Sequence, residues 1–280
     1  MLPAGVLDDL TIAVAERNGW PEGGASGLRA WLGLPAELGA PTPYDLATAF
    51  HDLPPRQAHR SLVIATDYRS GSTLLAESLT GAGGYGVPLE YLQRGARERR
   101  FARFATHSPG HYLANVIQRR TSSSGVFGIK LFWPEASAVQ QLPDPTVIWL
   151  RRGDVVAQAV STWTALVTGV WRSAASVESD VPYDRARLTA LVGMHWHHDM
   201  SWKQALADTT VIEASYEHLA ADPTGETEAI ISALKRRGMP PEGPVPEPRL
   251  ARQASPRSRA LAERLAEDVL NGHWDGRLGS

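Results

Sequence analysis

The chain of 280 residues has no cysteine. That excludes disulfides, thiolate zinc sites and a cysteine nucleophile, and it fits a reducing compartment. No apolar run approaches the roughly 18 residues that a membrane-spanning helix needs. Asp8 and Asp9 stand where a secretory leader would be basic. The net charge is only −2, so no global field draws the chain to nucleic acid or an anionic membrane. A soluble, cytoplasmic protein is expected, with no nucleic-acid or membrane partner. Any anion site must be assembled from a local cluster. One more absence is local: the Ser-Gly-rich stretch at 67–73 has no lysine after its glycine.

Hydrophobic residues make up 43% and charged residues 21%, enough apolar material for a sizeable core. Residues 1–60 differ from the rest. Leu7, Leu10, Ile12, Val14 and Ala15 recur at roughly helical spacing, and Asn18-Gly-Trp-Pro follows as a loop. Shorter helices are expected at 27–33 and 43–52, and Pro54-Pro55 closes this helical N-terminal extension. It can pack on the main domain, cover the site, or serve as an arm for a second copy or a small partner protein.

The main domain is expected over 61–280. Apolar runs at 61–66, 126–132, 146–150 and 211–214 suit buried parallel strands. Helical patterns separate or follow them at 73–80, 154–170, 183–207, 224–237 and 255–271, with a proline-rich linker at 239–248. Strands alternating with helices predict an α/β fold, a parallel sheet flanked by helices.

In such a sheet ligands bind beyond the C-terminal strand ends. The stretch Asp67-Tyr-Arg69-Ser70-Gly71-Ser72-Thr73 follows the first strand and opens a helix. Small residues let the backbone turn and aim N–H groups at a ligand, and the helix dipole adds positive potential. Arg69 is a planar cation suited to phosphate or sulfate, and the hydroxyls of Ser70, Ser72 and Thr73 are further donors. A triphosphate–magnesium loop needs a Lys-Ser/Thr pair after its second glycine. Its absence disfavours a kinase.

A second cluster supports an anionic ligand. Arg151 and Arg152 end the third strand, Asp154 suits a helix N-cap, and Ser161 lies about two turns further on. Arg152 and Ser161 can grip a second phosphate. Lys130 lies within the apolar strand Phe127-Gly-Ile-Lys-Leu-Phe-Trp, where a cation is costly unless it is paired or faces a ligand.

These stretches together resemble the Stf0-type sulfotransferases. The resemblance rests on Arg69-Ser-Gly-Ser-Thr-Leu-Leu, Glu77-Ser-Leu, Gly86-Val-Pro-Leu-Glu90-Tyr, Phe127-Gly-Ile-Lys130-Leu-Phe-Trp, the run Arg152 to Trp163, and Val170-Trp-Arg172. Weaker echoes are Tyr216 before His218-Leu219 and Arg252-Gln-Ala. It spans about 61–265 and leaves residues 1–60 without a counterpart.

The resemblance implies the sulfotransferase version of a P-loop-type sheet. It implies transfer of a sulfuryl group from 3′-phosphoadenosine-5′-phosphosulfate (PAPS) to a hydroxyl of a small molecule, a glycoside or secondary metabolite. The bisphosphate PAP is then the other product, and no metal is required. The loop Arg69, Ser70, Gly71, Ser72 and Thr73 would hold the 5′-phosphosulfate. Arg152 and Ser161 would hold the 3′-phosphate, and Arg252 would close over the donor. Glu90 would be the general base, with Arg69 and Lys130 stabilising the leaving group. The chain departs from the pattern at Tyr68, where a smaller polar residue is expected, and at Gly153, in place of proline. Two other readings remain. Sulfation can create a leaving group for later cyclisation or elimination, or the chain can be a non-catalytic nucleotide-binding subunit.

The acceptor region, roughly 92–125, carries Arg94, Arg97, Arg99, Arg100, Arg103, His107 and His111, which either coat a helix or meet an acidic acceptor. The run His195-Trp-His197-His198-Asp199 lacks a further spaced ligand and is not read as a metal site. Trp163, Trp171, Trp196 and Trp202 are read as core, and Trp133 as the tryptophan that touches adenine or acceptor.

Overall fold

The computed structural model describes residues 1–21, 25–35, 53–93, 109–171, 181–247 and 255–274. The helix expected at 43–52, most of the arginine-rich stretch, Arg172 and Arg252 lie outside these residues.

Four strands form one sheet: β1 (Arg60–Thr66), β2 (Val126–Phe132), β3 (Pro145–Arg151) and β4 (Ile212–Ser215). All pairs are parallel and the order is β2-β1-β3-β4. From β1 the chain goes first to one side and then to the other. The C-terminal ends of β1 and β3 therefore flank a topological switch point, where a crevice opens.

The described helices are α1 (Ala4–Asn18), α2 (Ala25–Trp31), α3 (Ser72–Ala82), α4 (Pro109–Arg120), α5 (Val155–Thr168), α6 (Arg185–Ala205), α7 (Tyr216–Ala221), α8 (Pro223–Arg236) and α9 (Pro256–Leu270), with a 3₁₀ helix at Trp133–Gln141. The expected α/β alternation is present, and the strand and helix bounds fall within two residues of expectation. What the apolar pattern did not reveal are α4, the 3₁₀ helix and the short α7.

Strand residues alternate between two cores, as period two requires. Leu62, Ile64, Ile148 and Leu150 pack with Leu75 and Leu79 of α3 and Ile230 and Leu234 of α8. Val63, Ala65, Phe127, Ile129 and Val147 pack with Tyr112 and Val116 of α4 and Trp202 of α6. A third core is wholly helical except at its rim. In it Leu7, Leu10 and Val14 of α1 join Leu28 of α2, Leu32, Val160 and Trp163 of α5, Leu191 and Met194 of α6, and Leu265 and Val269 of α9.

The described residues before 35 are tied into this third core by specific bonds. Thr11 Oγ1 and the Val14 side chain lie against Gly193, and Trp196 Nε1 donates to Asp8 at 2.7 Å. Arg187 Nε donates to the Leu32 carbonyl at 2.7 Å, and Trp20 stacks on His197 at 4.4 Å between ring centroids. Among the described residues no helix is long and apolar enough to cross a membrane.

Candidate active site

The loop after β1 is curled by two left-handed residues, Arg69 at φ 59° and Gly71 at φ 82°. A left-handed arginine is unusual and marks a backbone held by its surroundings. At Gly71 a β-carbon would meet the Tyr216 ring at 3.0 Å, so glycine is required on both counts. Helix α3 begins at Ser72 and directs its N-terminus at the loop.

The hydroxyls of the loop do not all point one way. Ser70 is buried; its Oγ donates to the Asp67 carbonyl at 2.8 Å and lies 2.5 Å from Thr66 Oγ1. Ser70 thus shapes the loop from within instead of facing the crevice. Thr73 Oγ1 is turned toward β2 and accepts from Lys130 Nζ at 3.2 Å.

Lys130 is fully buried at its ammonium end, a costly place for a cation unless it is paired. Its Nζ donates to Glu90 Oε1 at 2.7 Å. The Glu90 side chain is 30% exposed, so this ion pair opens on the crevice. Backbone pairing explains why the two meet. The segment before Glu90 runs alongside β2: Leu89 bridges Ile129, and Lys130 N–H donates to the Leu89 carbonyl at 2.9 Å. Such close approach needs bare backbone. At Gly86, φ is 67°, and a β-carbon would lie 2.6 Å from the Arg120 carbonyl and 2.7 Å from Gly128 N.

The 3₁₀ helix adds a carboxyl group that sequence reasoning missed. Glu135 Oε2 accepts from Phe132 N–H at 3.1 Å, capping the helix. Burial, and then repulsion by Glu90 and Asp67, push its pKa up to about 7. A Trp-Pro-Glu sequence after a strand reads only as a helix start, which is why the position drew no notice. Trp133, at the same turn, packs edge-on to Trp202 at 5.6 Å and joins the core cluster there.

Across the loop lies the second basic cluster. Arg69 does not reach forward along the loop. Its Nε donates to Ser161 Oγ at 2.9 Å and its NH1 to the Trp171 carbonyl at 2.5 Å. Arg152 NH1 donates to the Arg69 carbonyl at 3.0 Å, and its guanidinium lies 4.2 Å from the Tyr216 ring centroid. Burial, reinforced by Arg152, lowers the Arg69 pKa to about 10, which leaves it charged near neutrality. Arg69, Arg152 and Ser161 thus form one group. Arg151 separates from Arg152: it pairs with Asp199 and lies over Trp149. At the head of α5, Asp154 caps Ala157 N–H, and Glu217 accepts from Gly153 N–H at 3.0 Å.

The histidine run of α6 divides. His195 and His198 turn inward to Asp67 of the loop, while His197 stacks on Trp20. Burial, and then His198, lower the His197 pKa to about 4. Among the described residues no group of three or more His, Cys, Asp or Glu side chains is arranged so that it could hold a metal ion.

Of the residues expected to carry the chemistry, Glu90, Lys130 and Thr73 come together on one side of the loop. Arg69, Arg152 and Ser161 come together on the other. Arg252 lies outside the described residues.

Comparison with known proteins bears on the family. The family model of Stf0 sulphotransferases matches residues 137–268, a stretch that includes Arg152 and Ser161. Trehalose 2-sulfotransferase of Mycobacterium tuberculosis is 28% identical over 257 aligned positions, which take in 74% of this chain and 94% of that one. The trehalose 2-sulfotransferase of Mycolicibacterium smegmatis is 29% identical with the same coverage. A solved structure, the sulfotransferase domain from the Synechococcus PCC 7002 olefin synthase, shares 16% identity at a TM-score of 0.42, over 79% of this chain and 90% of that one. That last likeness is too slight to carry an argument. The resemblance to Stf0 sulfotransferases expected from the sequence is borne out, and with it the reading of the chain as a sulfotransferase.

Proposed function

We propose that this chain, a relative of the Stf0 sulfotransferases, moves a sulfuryl group from PAPS to a hydroxyl of a small molecule, with Glu90 as general base. The observation that carries the proposal is the convergence of Glu90, Lys130 and Thr73, from three separate segments, at the mouth of the loop after β1. The names of the relatives favour a sugar hydroxyl as acceptor. A hydroxyl-rich acceptor also suits the partly exposed carboxylate of Glu90.

In the proposed reaction the acceptor oxygen attacks sulfur in line. The new O–S bond forms as the bond from sulfur to the phosphate oxygen breaks, and PAP leaves. Glu90 takes the acceptor proton. Lys130 orients the Glu90 carboxylate before reaction and is placed, with Thr73, to stabilise charge that builds on the departing oxygen. The bare backbone of the loop and the head of α3 would receive the 5′-phosphosulfate. Arg152, Ser161 and Arg69 would receive the 3′-phosphate. Arg69 now sits with that second group, so its contribution to the leaving oxygen requires it to release Ser161.

Two measurements test the reading. Calorimetry is expected to give PAP binding and little or no binding of ATP–magnesium; a preference for ATP–magnesium would overturn it. The Glu90→Gln variant is expected to keep PAP affinity within about twofold and lose turnover by about 100-fold or more, the range for a lost general base. Near-normal turnover removes Glu90 from that role.

A further inference from the structure

Asp67, the first residue after β1, is a buried carboxylate that the proposed reaction does not use. Its Oδ2 lies 2.6 Å from His195 Nδ1 and its Oδ1 lies 3.1 Å from His198 Nδ1. Burial by itself drives its pKa upward, but His198 and His195 outweigh burial and hold it well below the usual carboxylate range. A carboxylate only accepts, so His195 Nδ1 carries the shared proton. The opposite nitrogen, His195 Nε2, lies 2.9 Å from Thr162 Oγ1.

Thr162 is the neighbour of Ser161. The bridge Asp67–His195–Thr162 thus runs from the root of the loop, through α6, to the residue of α5 beside the Ser161 that holds Arg69. A second bridge runs in parallel, as Gln158 Nε2 of α5 donates to the Tyr68 carbonyl at 2.7 Å. Asp67, Tyr68, Gln158, Thr162, His195 and His198 are all at least nine-tenths buried. Apolar side chains would fill this volume without the desolvation cost of a charge. A hydrogen-bonded polar chain does something packing does not: its directional bonds permit one relative placement of its ends.

We infer that His195 is a positioning residue that sets the spacing between the two anion subsites, the loop and the Arg152–Ser161 group, so that one bisphosphate ligand engages both. This rests on the reading of the crevice as a PAP site. When two subsites hold a single ligand, the second contact forms at high effective concentration only if the geometry fits. A strut contributes to that fit and not to either subsite alone.

The test compares three probes by calorimetry: PAP, adenosine 5′-monophosphate and adenosine 3′-monophosphate. In wild type, PAP is expected to bind far more tightly than either monophosphate. His195→Leu is expected to weaken PAP by about 10-fold or more while each monophosphate stays within about twofold. Thr162→Val keeps the shape of its residue and cuts the bridge at its other end; it is expected to give the same pattern, and it serves if His195→Leu does not fold. Equal losses for all three probes in the folded variants, or unchanged PAP affinity, overturn the inference and leave the functional reading standing. Wild type that fails to bind PAP overturns that reading, and the inference with it.

Discussion

Glu135 shows how one carboxyl can be held against its own preference. Its pKa, near 4.5 as a free side chain, is pushed up to about 7 by burial and by its neighbours Glu90 and Asp67. The folded state therefore binds a proton that the unfolded chain has released between those two values. Stability from this group is greatest below the lower value and is lost as pH rises through the upper one. Two charged clusters and one backbone amide bear on Glu135. Glu90 comes with its partner Lys130, Asp67 comes with His195 and His198, and the Phe132 N–H bonds the carboxyl directly. Glu135→Gln keeps the cap and removes the charge. It is expected to stabilise the fold by up to about 2–3 kcal/mol at pH 8 and by little at pH 4.5, read by urea denaturation at the two pH values. A gain independent of pH would show that repulsion is not the cause.

The same scale shows what the sequence made legible. Lys130 stood out because a cation in an apolar strand demands a reason. Glu90 stood out only through the family pattern, since one glutamate after Val-Pro-Leu has no local signature. The partners of Asp67 were hidden by distance along the chain: His195 is 128 residues away, and no periodicity connects them. The inward turn of the Ser70 hydroxyl was equally hidden, because a serine in a tight loop can face either side.

Elements were easier to read than their partners. Buried parallel strands announce themselves as unbroken apolar runs, and the β2 limits match the expected ones at both ends. The 3₁₀ helix escaped because nine residues beginning Trp-Pro carry too few apolar positions for a helical period. Helix α4 escaped because it follows a dense run of arginines and buries only a narrow stripe that includes Tyr112 and Val116. The segment that carries Glu90 makes the sharpest element-scale prediction. Gly86→Ala places a β-carbon against three backbone atoms and in a left-handed conformation. Turnover is expected to fall by about 10-fold or more, with a lowered melting temperature. Gly5→Ala in α1 meets nothing within 4 Å and serves as the control, with activity and stability essentially retained. Parity between the two variants would detach Glu90 placement from the Gly86 turn.

For the whole molecule, the question is whether residues 1–34 are an appendage. Leu2, Leu7, Leu10, Val14, Leu28 and Leu32 are buried in the helical core. At about 1.5–3 kcal/mol each, their burial is comparable to the net stability of an entire domain. A chain that starts at residue 35 is expected to lose cooperative thermal unfolding, as measured by scanning calorimetry. A melting temperature within a few degrees of the full chain would return the segment to the status of a detachable arm.

The backbone bond from Lys130 N–H to the Leu89 carbonyl carries a consequence of its own. This amide is paired only while the segment with Glu90 lies along β2, next to the lysine whose side chain holds that same glutamate. Its exchange with solvent deuterium therefore measures how often the segment with Glu90, the proposed base, leaves β2, in the absence of donor, acceptor or turnover. The resting protein thus contains a single-proton clock for the assembly of the proposed reaction centre.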